Sequence, residues 1–104
     1  MPEFNPQRAR AKRPLPIWMD AFVRDTLHLE ADEVGAYFLM LGAMWTSKDC
    51  SLPNDPRKLS RVCRCSMAKF KSRIGPAVLA LLDVSEDVVF SPRLRKEAVF
   101  VQMS

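Results

Sequence analysis

Histidine is almost missing from this sequence, with His28 the only one. A lone imidazole argues against His-centred nucleophile–base pairs and against multi-histidine metal sites. The three glycines, Gly35, Gly42 and Gly75, are too scattered for a glycine-rich phosphate loop. Cysteine is scarce and odd in number: Cys50, Cys63 and Cys65 cannot all pair within the chain. With no secretion signal at the N-terminus, reduced thiols are the expectation. Only Arg64 separates Cys63 from Cys65, which breaks the C-x2-4-C spacing of zinc sites, so Cys63 is expected as a small core residue and no metal is expected. No apolar run reaches the roughly 18 residues that span a bilayer. These absences point to a soluble, cytoplasmic protein without a membrane partner or a cofactor. Asp25 and His28 read as a hydrogen-bonded pair at a helix end rather than an acid–base couple. No catalytic set appears, and the chain is not expected to be an enzyme.

What is present is one domain's worth of sequence, 104 residues at 48% hydrophobic, with a net charge of +4 that is unevenly spread. Residues 1–13 carry Arg8, Arg10, Lys12 and Arg13 against Glu3. The next stretch, to residue 50, is acidic: Asp20, Asp25, Glu30, Asp32, Glu33 and Asp49 outnumber Arg24 and Lys48. Basic residues dominate again beyond it. Asymmetry of this kind suggests an anionic partner on one side of the molecule. Residues 1–13, polar and basic, read as a disordered arm, and residues 14–104 as the folded domain.

Along that domain, Ile17, Trp18, Ala21 and Phe22 predict a short helix from about Met19 to Leu27. A longer helix follows, with Glu30, Asp32 and Glu33 at its start, where negative charge suits the dipole. Its apolar face is expected to centre on Val34, Phe38, Leu41 and Trp45, widened by Tyr37, Met40 and Met44. Gly35 inside this helix predicts close approach by another backbone. Cys50 to Leu52 read as a short strand. Asp55 is a good N-cap and Pro56 suits the first helical position, opening a helix with Leu59, Val62 and Cys63 inward. After a tight break at Arg64-Cys65, Ser66 caps another helix with Met67, Phe70 and Ile74 inward. Pro76 predicts a kink or restart near Gly75. Residues 82–91 read as a hairpin turning at Ser85-Glu86-Asp87, and Pro92 opens a last, helical segment.

The expected fold class is therefore mainly α with a small β-hairpin, α+β, in winged helix-turn-helix order. In that arrangement the helix beginning at Ser66 enters the major groove, so Lys69, Ser72 and Arg73 would face DNA, with Lys71 at the edge. Arg57, Lys58, Arg61 and Arg64 on the preceding helix would neutralise phosphates, and Arg8, Arg10, Lys12 and Arg13 would add backbone or minor-groove contacts. The expected partner is double-stranded DNA. Against it stand the acidic wing residues Asp83, Glu86 and Asp87. The alternative is a protein-interaction module that dimerises, or recruits a replication or regulatory protein, through the apolar tail Ala98-Val99-Phe100-Val101.

Several separated motifs resemble the YdaU-like prophage proteins, a family classed as a domain of unknown function. They are Asp25-Thr26-Leu27-His28-Leu29, Glu33-Val34-Gly35-Ala36-Tyr37, Leu52-Pro53-Asn54-Asp55 and Arg93-Leu94-Arg95-Lys96-Glu97, spanning roughly residues 14–97. The resemblance implies a winged-helix-like fold in phage or mobile-element genes, often near replication functions. The sequence departs from the family at Glu30, where a Ser or Thr cap is common. It also carries little beyond the domain, where relatives often have a further C-terminal region.

Overall fold

The structure, a computed structural model, describes the backbone of residues 15–103 and the side chains of residues 15–98. The basic arm with Arg8, Arg10, Lys12 and Arg13 lies outside the described residues, as do the side chains of Val99, Phe100 and Val101.

The fold is α+β. Helix α1 (Met19–Asp25) leads to the long α2 (Ala31–Thr46), strand β1 (Leu52–Pro53) and α3 (Pro56–Val62). A compound helix over residues 67–79 follows, built from α4 (Met67–Lys69), a π-helical turn (Phe70–Ile74) and α5 (Gly75–Leu79). Strands β2 (Asp83–Val84) and β3 (Val88–Phe90) form the hairpin, and α6 (Pro92–Met103) closes the chain. Strand β3 lies between the other two in an antiparallel sheet, with Val89 opposite both Leu52 and Val84. The expected hairpin is thus widened to three strands by the short segment before α3.

Local chemistry sets the element ends. Asp55 Oδ1 accepts the Arg57 amide at 3.0 Å, with Pro56 at the first helical position. Ser66 Oγ accepts the Lys69 amide at 3.1 Å. Such caps satisfy donors that a helix start would otherwise leave unpaired and contribute roughly 1 kcal/mol each. At the start of α2, Glu33 Oε1 accepts the Glu30 amide at 2.8 Å and the Glu30 side chain faces the Glu33 amide in return, a reciprocal capping box.

The core is filled by Met40, Met44, Leu59, Ile74, Val78 and Val89, all fully buried. Phe22 stacks on Tyr37, with ring centres 5.7 Å apart, and holds α1 against α2.

Two expectations for α2 are corrected. Its buried face is Glu33, Ala36, Tyr37, Met40, Leu41 and Met44, while Phe38 is 48% exposed. The true face is turned about one residue step, roughly 100°, from the predicted one. The helix is apolar on more than one side, so periodicity alone left the direction of the core undecided. Gly35 is exposed, and an added Cβ would meet nothing within 4 Å. The close backbone approach predicted there does not occur.

Pro76 is accommodated rather than allowed to break the helix. The π-helical turn lets the Gly75 amide reach back five residues to the Phe70 carbonyl. A wide turn at this point relieves the clash and the missing donor that proline brings to a regular helix. Gly75 is required by it: a Cβ there would stand 2.7 Å from the Phe70 carbonyl oxygen and 2.9 Å from its ring.

Candidate functional site

Helix α3 and the compound helix meet at a tight turn. The Cys65 amide donates to the Ser60 carbonyl at 3.0 Å, and the Arg64 amide to the Arg61 carbonyl at 3.1 Å. This pair of bonds ends a helix with one left-handed residue, a place usually filled by glycine. Here it is Arg64, at φ 60°. Beneath the turn, Cys63 is buried with its thiol 4.0 Å from the Ala36 carbonyl, as expected of a core residue. Burial pushes that thiol up to about 12, so it stays protonated. Cys50 is also buried, and its thiol is raised for the same reason.

Arg57, Lys58, Arg61 and Arg64 are all exposed. Arg57 and Arg61 follow at i and i+4, which places them on one side of α3, while Arg64 stands past its end as the left-handed residue of the turn. Lys71 is exposed on the compound helix. None of these five cations forms an ion pair among the described residues.

Lys69 and Arg73 behave differently from the sequence expectation. Arg73 places both guanidinium nitrogens on the two oxygens of Asp32, Nη1 to Oδ1 at 2.9 Å and Nη2 to Oδ2. Its Nη1 also donates to Glu33 Oε2 at 3.2 Å. The Lys69 ammonium sits 3.2 Å from Asp32 Oδ2. The Arg73 hydrogen bonds hold the Asp32 carboxyl well below the usual carboxylate range, and the same contacts raise Arg73. Two side chains expected to face DNA are thus turned onto the start of α2. Ser72 is exposed, with its hydroxyl donating back to the Lys69 carbonyl at 3.4 Å, and the exposed Ser66 is occupied as a cap.

Sequence reasoning missed Asp32 and Glu33 as internal counter-ions. They read as acids suited to a helix start, and nothing in their spacing points to a partner some 40 residues away. It also missed Asn54. The Asn54 amide group donates to the Ser85 carbonyl at 2.7 Å, and its backbone amide to the Asp87 carbonyl at 2.9 Å. The hairpin tip is therefore tied to the segment just before α3, and its acids Glu86 and Asp87 are exposed. On the other side of the hairpin, the Arg95 guanidinium lies 3.9 Å above the Phe90 ring and braces β3 against α6.

Elsewhere, the Asp25 carboxylate lies 3.9 Å from both Arg24 and Arg93. Among the described residues, no group of three or more His, Cys, Asp or Glu is arranged to hold a metal. No helix among them is long and apolar enough to cross a membrane.

A family profile described as "Protein of unknown function (DUF1376)" matches residues 15–98. No curated protein and no solved structure matches the chain.

Proposed function

The chain belongs to the DUF1376 family of proteins of unknown function, and from that starting point we propose a winged-helix module that binds duplex DNA through its phosphates. The observation that carries this reading is the exposed group Arg57, Lys58 and Arg61 on α3, with Arg64 in the turn that follows and Lys71 on the compound helix, none of them in an ion pair among the described residues. Point charges on one helix side neutralise a phosphate backbone and release its counter-ions, which favours binding without demanding a sequence. The winged-helix assignment is supported by the element order and by β1 pairing with the second strand of the hairpin. With Lys69 and Arg73 held internally, backbone contacts rather than base reading carry the interaction. Prophage or mobile-element origin, and a role in replication or transcriptional control, rest on the YdaU-like motifs and their order.

Duplex titration by fluorescence anisotropy tests the proposal. Wild-type protein is expected to bind at low salt, with log affinity falling linearly with log salt. Arg57→Glu combined with Arg61→Glu should weaken binding and reduce the salt slope by about 2, near 0.9 for each lost phosphate contact. Absence of wild-type binding at low salt, or a double variant that binds equally well, rejects it. A protein-interaction role through the apolar tail remains the second reading. Its carriers Val99, Phe100 and Val101 lie outside the described side chains, and only Ala98 is seen, packed against the core.

A further inference from the structure

Helix α1 keeps its inner side occupied and leaves its outer side bare. Ala21 and Thr26 are buried and Phe22 stacks on Tyr37. On the opposite side Met19 and Val23, four residues apart, are 65% and 50% exposed, and Leu27, in the turn just past the helix, is 76% exposed. Trp18, at the start of the helix, is 59% exposed. A line of large apolar side chains open to water marks a surface that another molecule covers.

The charges beside this line identify the occupant. Asp20 and Arg24 are exposed, four residues apart, along one flank of it. When two copies of a helix pack antiparallel about a two-fold axis, each flank faces its own copy. A parallel two-fold carries this flank to opposite edges of the contact, so Asp20 and Arg24 of the two copies do not meet. The antiparallel one brings Asp20 within reach of the partner's Arg24, twice. Setting Val23 against its own copy also brings Met19 to the far end of the partner helix. An acid followed by a base at this interval is therefore self-complementary in one orientation only.

We propose that the protein self-associates through α1, two copies packing antiparallel about a two-fold axis at Val23, with reciprocal Asp20–Arg24 pairs at the edges. The contact is a short two-turn helix, so the dimer belongs to the weak, transient class that buries less than about 1,200 Å². It does not depend on the DNA reading, and its test contains no nucleic acid.

Sedimentation equilibrium on the full chain from about 10 µM to about 1 mM covers the range of such contacts. The expected result is a concentration-dependent monomer–dimer equilibrium. Val23→Glu, at an exposed position, should abolish it while leaving the thermal melt unchanged. Asp20→Arg alone and Arg24→Asp alone each set like charges opposite each other twice and should weaken the dimer about tenfold. An equimolar mixture of those two variants should recover it, because every pair in the mixed dimer is then opposite in sign. The proposal is overturned if wild type stays monomeric at the highest concentration, the result expected if the chain's own end covers α1. It is equally overturned if the dimer survives Val23→Glu, or if mixing the two charge variants restores nothing.

Discussion

Arg64 holds φ 60° at the end of α3, where glycine would be free of steric conflict. A side chain in the left-handed region costs about 1 kcal/mol, because Cβ crowds the following carbonyl. Asparagine or glycine would lower that cost, so arginine stands here against local preference. Strain at a single residue is informative when the same residue sits in a candidate site. Arg64→Gly should therefore move two properties in opposite directions. Chemical denaturation should show a gain of roughly 0.5–1 kcal/mol, and duplex affinity should fall several-fold with a shallower salt slope. Loss of stability in this variant would show that the Arg64 side chain serves the fold. Cys63 beside it illustrates the other kind of residue: buried, protonated and packed in the core.

At the level of elements, the helix over residues 67–79 matters most, since it carries both core residues and exposed cations. Phe70, Ile74 and Val78 are buried, and the π-helical turn between them lets the helix pass Pro76 without ending. The turn works only while residue 75 has no side chain, because Phe70 fills the space a Cβ would need. Gly75→Ala ordinarily favours a helix by removing unfolded-state freedom. Here overpacking wins, and the expected outcome is a loss of about 1–3 kcal/mol by thermal or chemical denaturation. A more stable Gly75→Ala protein would mean that Phe70 has room to move aside and that the wide turn is not enforced by packing.

Across the whole molecule, the start of α2 and the compound helix are joined by one ionic cluster. Asp32 anchors Lys69 and Arg73, and Glu33 divides its two oxygens between Arg73 and the amide of Glu30. The lowered Asp32 carboxyl keeps the cluster intact above about pH 4, the usual carboxylate value, and its ionic part is lost only as pH falls through the lower native one. The cluster also limits how many cations a DNA backbone can reach. Asp32→Asn should free Lys69 in full and Arg73 in part. The expected outcome is a several-fold rise in duplex affinity and a salt slope steeper by about 1, measured by the same anisotropy titration. Unchanged or weakened binding would place the phosphate path away from the compound helix.

Sequence alone determined the order of elements, the caps at Asp55 and Ser66, the break at Arg64-Cys65 and the hairpin turn, because each rests on neighbours a few residues apart. It also gathered the cations of residues 57–73. Tertiary structure decided which of them remain free. Asp32 and Glu33 reach Arg73 only because α2 packs beside the compound helix, and a charge pairs with whatever the fold brings within a few ångströms, whatever the distance along the chain. The same holds for α2, where an apolar pattern broad enough to suit several directions was resolved by what packed against it. It holds as well for α1, whose outward Met19 and Val23 became visible once Phe22 had fixed which side faced in.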